Sequence, residues 1–258
     1  MYFNYIHVGF YLLIGLFGCL VGQILGLVNE RLIRHERIFE KGSLKKFKIE
    51  FEPHYGLMTI MFIFYDVILF VCGFEKTWHS VIQLGSYLLL APMLLSAFLI
   101  DLKEQIIPNR LVLTMFELGL VTLILDVVTN PVTGTSFALN RLEGMLTGGG
   151  IFLLITVLGG LLMGKEAMGM GDVKLMGTLG LFFGIKNIIA IAVGSFLIGA
   201  IISIFLLIIR RNKAKDYIPF GPFIVSATII LMLTPDGFLF SILWTIFSGE
   251  WLLNLINR

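Results

Sequence analysis

Long runs of apolar residues, separated by short polar stretches, dominate this chain of 258 residues. A helix that crosses the hydrocarbon core of a bilayer needs about 20 apolar residues. The apolar runs predict helices at 8–28, 57–74, 79–100, 110–128, 142–163, 173–184, 187–209, 219–234 and 238–254. Because 173–184 is shorter than a full span and 238–254 could lie along the interface, we predict about eight transmembrane helices in an all-α, polytopic membrane bundle.

Composition supports the membrane class. Hydrophobic residues make up 57% of the chain and charged residues only 14%, whereas a soluble domain has about half and about a quarter. Neither cysteine belongs to a C-x-x-C pair, so we interpret both as small buried apolar side chains. Glycines recur at about four-residue spacing at 15, 18, 22 and 26, which predicts close helix contact. We expect lipid as a neighbour and no nucleic-acid partner.

Basic residues are distributed unevenly between the two sides of the predicted bundle. If the amino terminus is outside, fifteen of the 19 Lys and Arg residues fall in cytoplasmic segments, whereas Lys76, Arg141 and Lys186 fall in external ones. Positively charged loops favour the cytoplasm. We therefore predict an external amino terminus, a cytoplasmic loop at about 29–56, and one integral membrane domain over 1–258.

Two aspartates occupy matching positions at the predicted cytoplasmic boundary. Asp101 follows one apolar tract, and Asp172 begins another within the motif GMGDVK at 169–174. Ionisable residues at the edge of the hydrocarbon are costly and therefore indicate function. Two neighbouring carboxylates share one proton, so one can activate water while the other protonates a carbonyl oxygen. We predict that Asp101 and Asp172 form an aspartyl protease dyad that needs no metal.

Residues around the two aspartates are candidates for shaping a site. Gly169 and Gly171 have no side chains that would keep an extended substrate away from Asp172. Lys174 could bias which aspartate holds the proton, or it could anchor its helix at the interface. Two further segments open helices with proline, and irregular backbone at membrane depth lines a cavity or is buried in protein. Their candidate residues are Pro108, Asn109, Pro219, Gly221 and Pro222.

Other acidic residues leave a different class of function open. Asp66 and Glu117 fall nearer the middle of predicted spans, where they could form structural hydrogen bonds or mark a polar cavity. Such carboxylates, together with interrupted helices, are typical of ion-coupled transporters. A transporter, however, gives no reason for glycines to flank one particular aspartate, and no internal repeat is evident. A scaffold without catalysis would leave both boundary aspartates without a role.

In order and spacing, the motifs resemble those of the type IV prepilin peptidases, a branch of the G-x-G-D membrane aspartyl proteases. GMGDVKL at 169–175 resembles the second aspartate motif of that family, and Asp101 with IPN at 107–109 resembles the first. IPFGPF at 218–223 resembles a late segment of the family. The resemblance implies an endopeptidase of the bacterial cytoplasmic (inner) membrane that removes the short basic leader, after a glycine, from prepilins or pseudopilins.

Many members of that family also methylate the new amino terminus with S-adenosylmethionine. This chain departs from their pattern, because the loop at 29–56 is short and lacks paired C-x-x-C motifs. Where the family usually has a glutamate soon after Tyr-Pro, this chain has HYGLMT at 54–59. We therefore expect proteolysis without a cofactor, a need for S-adenosylmethionine only if methylation takes place, and no zinc.

Overall fold

The computed structural model describes α-helices joined by short connections. The described residues are 8–33, 54–73, 77–130, 133–164, 168–209 and 218–234, with a few positions between 238 and 245, and they contain no strand. The helices are α1 Val8–Ile33, α2 Tyr55–Cys72, α3 Trp78–Glu104, α4 Asn109–Thr129, α5 Gly134–Met163, α6 Met170–Ile208 and α7 Gly221–Met232.

Six of these helices, α1 to α6, are long and apolar enough to cross a bilayer, and α7 is a shorter apolar helix of 12 residues. The prediction of an all-α polytopic membrane bundle is confirmed. The external amino terminus and the total of about eight spans stay predictions. Residues 34–53 of the predicted loop, and most of the tract at 238–254, lie outside the described residues.

Some predicted helix boundaries are wrong by several residues. The structure continues α1 to Ile33, beyond the predicted end at 28, and begins α5 at Gly134, before the predicted start at 142. The reason is physical: hydropathy marks the part of a helix that suits lipid, whereas backbone hydrogen bonds continue through its polar ends. The first helix therefore includes polar residues that the sequence placed in a loop.

The helix α6 consists of two arms, because Gly184 interrupts it. Gly184 has φ 71° and ψ −179°, a conformation that only glycine adopts readily. A Cβ atom added at Gly148 of α5 would lie 2.7 Å both from the Met176 carbonyl oxygen and from Ile188 Cγ1. In a straight helix those two residues would be about 18 Å apart. The arms, 170–183 and 185–208, therefore fold back against α5, and the prediction of two separate apolar tracts here is confirmed.

Glycines also let α1 and α2 approach closely. A Cβ at Gly18 would lie 2.6 Å from the carbonyl oxygen of Met61, and a Cβ at Gly22 would lie 2.6 Å from that of Leu57. Any side chain at these positions would push the helices apart. Helix pairs in membranes use small residues in this way, because close backbone approach increases van der Waals contact. The predicted packing role of this glycine spacing is confirmed.

A proline inside α3 is accommodated by a hydrogen bond from α2. Pro92 has no N–H, so it cannot donate to the carbonyl group of Leu88 four residues earlier. The buried Tyr65 hydroxyl donates to that carbonyl oxygen instead, with an O···O distance of 2.7 Å. This contact fixes α3 against α2 and supports the helix whose last turn carries Asp101.

The two mid-membrane acids of the sequence do not meet in a shared site. Glu117 is exposed on α4, and Asp66 is half-buried on α2. Asp66 Oδ1 is buried without a hydrogen-bond partner within the described residues. Neither residue lines the cavities described below. Asp66 and Glu117 therefore give no support to the transporter alternative at the cavities described below.

A buried charge cluster lies at the end of the bundle opposite Asp101. Asp126 Oδ2 pairs with Arg141 Nη2 at 2.8 Å, and Asp126 Oδ1 lies 3.2 Å from His79 Nδ1. The His79 ring stacks on Phe137 with 5.0 Å between centroids. His79 and Asp101 occupy the two ends of α3, so about 33 Å separates the cluster from Asp101. The cluster links α3, α4 and α5.

Replacing Arg141 with Met should destabilise the bundle without impairing chemistry at the distant end. Removing one partner of a buried ion pair leaves an uncompensated charge, here on Asp126, and costs about 3–5 kcal/mol. The expected result is a clearly lower Tm in detergent. Adding Asp126→Leu to Arg141→Met should recover most of the loss, since two apolar groups can replace a buried pair. A double variant no more stable than Arg141→Met would show that the unpaired charge on Asp126 does not cause the loss of stability.

Candidate active site

The end of α3 and the starts of α4, α6 and α7 meet around Asp101. Asp101 lies in the last turn of α3 and is 4% exposed. The helix ends at Gln105, which has a left-handed conformation (φ 56°) and donates its N–H to the Asp101 carbonyl oxygen at 2.9 Å. Pro108 then adopts an extended conformation and caps α4. The chain therefore turns sharply beneath Asp101, as the proline predicts.

Asp172 lies in the first turn of α6. Gly169 is extended and precedes the helix, and its carbonyl oxygen accepts the Asp172 N–H at 3.1 Å. The Asp172 side chain bends back toward Gly169, whose backbone N–H approaches the carboxylate. A carboxylate in a first turn also benefits from the unpaired N–H groups at the helix start. Asp172 is nonetheless only 5% exposed.

The two aspartates line one cavity of about 280 Å³. Their carboxylates are close enough to interact electrostatically, although 71 positions separate them in the sequence. The cavity could hold several waters at about 30 Å³ each, or a short length of extended peptide with one water. The structure thus brings both predicted carboxylates into one small space. Its other lining residues are Gln105, Ile106, Ile107, Asn109, Gly169, Met170, Gly171, Lys174 and Phe220.

Gly221 brings the start of α7 directly against Asp101. A Cβ atom at Gly221 would collide with Asp101 Oδ2. The Gly221 N–H approaches this carboxylate, but Oδ2 has no completed hydrogen bond within the described residues. Buried polar atoms are nearly always paired, so this oxygen needs an explanation. It is available to bind a water molecule or a substrate group.

Ile107 acts as an apolar spacer between α6 and α7. Its side chain is buried, with 6% exposed. A Cβ atom added at Gly171 would lie 3.2 Å from Ile107 Cβ, and one added at Gly221 would lie 3.2 Å from Ile107 Cδ1. One side chain therefore fills the space left by two glycines that flank the two aspartates. The sequence showed Ile107 only as part of a motif, and nothing in the sequence indicates its position between the two glycines.

Lys174 and Asn109 join α6 to α4 at the mouth of the cavity. Lys174 Nζ donates to Asn109 Oδ1 at 2.8 Å, at an exposed position. Lys174 thus has a partner on another helix, which neither sequence interpretation included. Pro108 and Pro219 adjoin lining residues along the chain, but neither they nor Gly221 and Pro222 line the cavity. Gln105 and Phe220 line it and were not among the predicted site residues.

No group of three or more His, Cys, Asp or Glu residues among the described positions is arranged to hold a metal ion. The polar groups at the cavity include the two carboxylates, backbone groups and the Lys174–Asn109 pair. Such a set can bind and polarise water and can exchange protons with a carbonyl oxygen or an amine.

Comparison with known proteins finds a family match over part of the chain. Residues 88–204 match the model of the type IV leader peptidase family. The chain has a type IV leader peptidase domain. Both aspartates and the Lys174–Asn109 pair lie within the matched region, whereas Gly221 lies beyond its end. The resemblance that the motifs indicate is confirmed at the level of the family.

Several curated relatives carry the name prepilin leader peptidase/N-methyltransferase. The protein of Pseudomonas aeruginosa is 34% identical over 166 residues, which are 63% of this chain and 52% of the relative. The protein of Stutzerimonas stutzeri is 32% identical over 182 residues, which are 67% of this chain and 59% of the relative. The protein of Legionella pneumophila is 30% identical over 187 residues, which are 69% of this chain and 61% of the relative. The aligned part therefore spans about half to three fifths of each relative. No solved structure matches the chain.

Proposed function

We propose that this chain is a multi-pass aspartyl endopeptidase of the bacterial cytoplasmic membrane that removes the basic leader from type IV prepilins or pseudopilins. One observation carries the proposal: two buried carboxylates, on Asp101 and Asp172, line one small cavity at a helix-end junction. The leader peptidase domain and the names of the relatives agree with this chemistry. The proposed unit is a single membrane domain over 1–258.

The proposed reaction uses a dyad that holds one proton. The ionised carboxylate takes a proton from water while the water oxygen attacks the scissile carbonyl carbon, and the protonated carboxyl group gives its proton to the carbonyl oxygen. The carboxyl group that gained the water proton then protonates the leaving amine as the C–N bond breaks. The other carboxylate removes a hydroxyl proton from the intermediate, so the dyad again holds one proton.

The remaining site residues would position the substrate and the dyad. Gly169 leaves room for an extended peptide beside Asp172, whereas the space at Gly171 is filled by Ile107. Gly221 holds α7 against Asp101, and the Lys174–Asn109 pair borders the cavity mouth. Pro108, Pro219 and Pro222 would fix the backbone turns that open α4 and α7. The predicted positive-inside topology would put these residues and the dyad at the cytoplasmic membrane face.

Methylation of the new amino terminus is not part of the proposed activity. The relatives are named for both activities, but this chain lacks the paired C-x-x-C motifs in the loop at 29–56. We expect cleavage to proceed without S-adenosylmethionine and the product to remain unmethylated when that compound is present.

Co-expression with a prepilin, in a host without its own prepilin peptidase, tests both statements by intact-mass measurement. The expected product has lost its leader after a glycine and carries no added methyl group. A prepilin that keeps its leader, while the chain is folded in the membrane, would refute the peptidase proposal. An added methyl group would overturn only the expectation about methylation.

A further inference from the structure

An apolar groove begins at the mouth of the dyad cavity and runs along the bundle. Its volume is about 440 Å³. Its walls come from α4 and α5, and its floor comes from the first arm of α6. The lining residues beyond the mouth are Val112, Leu113, Phe116, Met145, Gly177 and Thr178. We call this feature the α4–α5 groove.

The groove and the dyad cavity adjoin each other. Asn109 and Lys174 line both, so their hydrogen bond marks the junction between the two spaces. From Asn109 to Phe116 the groove follows α4 for seven residues, or about 10 Å. One extended occupant that crosses the Lys174–Asn109 pair could therefore contact both the carboxylates and the groove.

The two adjoining spaces differ in polarity. The dyad cavity contains two carboxylates and the amides of Gln105 and Asn109, whereas the groove beyond its mouth is almost wholly apolar. A single occupant that matches both parts has a polar peptide at one end and an apolar segment at the other. A lipid tail matches the groove alone.

The rim of the groove, rather than its floor, is open to an incoming segment. On the floor Gly177 already packs against α5, because a Cβ atom there would lie 3.6 Å from Gly149 Cα and 3.7 Å from the Met145 carbonyl oxygen. Leu113 on the α4 rim is 55% exposed and is free to pack against an incoming apolar surface. An amphipathic or apolar helix that lies in such a groove is a common mode of peptide recognition.

We infer that the α4–α5 groove binds an apolar segment of the substrate on the carboxyl side of the cleavage site, and so positions the scissile peptide at the dyad. This inference rests on the proposed function and adds to it a specificity site outside the dyad. The substrate would enter sideways from the bilayer between α4 and α5. Its leader would remain on the polar side of the Lys174–Asn109 junction.

A bulky side chain at the rim of the groove should slow the cleavage of substrates that have an apolar segment after the cut, and should not affect substrates that lack one. The variant Leu113→Trp would be compared with Leu125→Trp, since Leu125 is also an exposed leucine of α4 but does not line the groove. Two probes are required: a full-length prepilin, and a synthetic peptide of its leader that ends a few residues after the cut. Leu113→Trp should lower kcat/KM for the prepilin about tenfold, mainly through KM, and leave the peptide rate unchanged. Leu125→Trp should alter neither rate.

Two kinetic outcomes would overturn the groove assignment. Parental kinetics of Leu113→Trp with the prepilin would mean that lipid alone occupies the groove. Equal losses with both probes would mean that the substitution disturbs the dyad itself. A parent chain that cuts neither probe would instead overturn the proposed function.

A photo-crosslinking amino acid at position 113 or 125 of the Asp101→Asn chain tests the groove independently of cleavage. Crosslinks from 113 to the apolar segment of the prepilin, without crosslinks from 125, are expected. Crosslinks from 113 to lipid alone would overturn the inference.

Discussion

Replacing either Asp101 or Asp172 with Asn should lower the rate of leader cleavage by about 10³-fold while the bundle stays folded. Asn keeps the shape of the side chain, but it cannot take a proton from water or give one to a carbonyl oxygen, and such transfers contribute about 10²–10⁴-fold. Both carboxylates line one cavity, so loss of either one should stop the same proton cycle. Initial rates on a purified prepilin, read by mass, measure the effect.

Glu117→Gln is the matched control for these variants. Glu117 is also an acid in a membrane helix, but it is exposed on α4 and does not line the dyad cavity. It should keep the parental rate. Thermal unfolding of all three variants in detergent should stay close to that of the parent. Near-parental cleavage by either aspartate variant would remove that residue from the reaction.

Replacing Gly221 with Ala should lower kcat by about 10²-fold. The added Cβ would collide with Asp101 Oδ2, so either the carboxylate or the start of α7 must move. A misplacement of about 1 Å near reacting groups can cost about 10²-fold in rate. The effect should fall on kcat more than on KM, because Gly221 touches Asp101 and is not among the residues that line the cavity.

Gly150→Ala provides the control for a glycine-to-alanine change. Gly150 lies within α5, and a Cβ atom there would meet nothing within 4 Å. Alanine is favoured over glycine in a helix by about 1 kcal/mol, so this variant should be as active as the parent and at least as stable. Full activity of Gly221→Ala would show that the contact with Asp101 does not hold the carboxylate in place.

The sequence predicted the main features of the fold because lipid imposes strong constraints on composition. Apolar tracts of sufficient length predicted the helices, and the short tract at 173–184 predicted a break that the structure places at Gly184. Two acids at the ends of such tracts are costly and therefore informative. For that reason the sequence alone predicts that Asp101 and Asp172 form a pair.

The parts of the site that the sequence did not predict depend on contacts between helices. Ile107 is an ordinary apolar residue in a motif, and only the assembled bundle places it between Gly171 and Gly221. Gln105 gave no signal for its left-handed conformation, because that backbone geometry is rare outside glycine. The Lys174–Asn109 hydrogen bond joins residues 65 positions apart, and single-residue patterns carry no information about such pairs.

The most direct test of the dyad is the cleavage rate of the combined variant Asp101→Asn/Asp172→Asn, measured beside the two single variants under single-turnover conditions. If the carboxylates work as one unit, the first substitution already stops the proton cycle, and the combined variant should cleave within about twofold of the slower single variant. A further loss of about 10²-fold in the combined variant would mean that the two aspartates act independently, which would contradict a dyad that shares one proton.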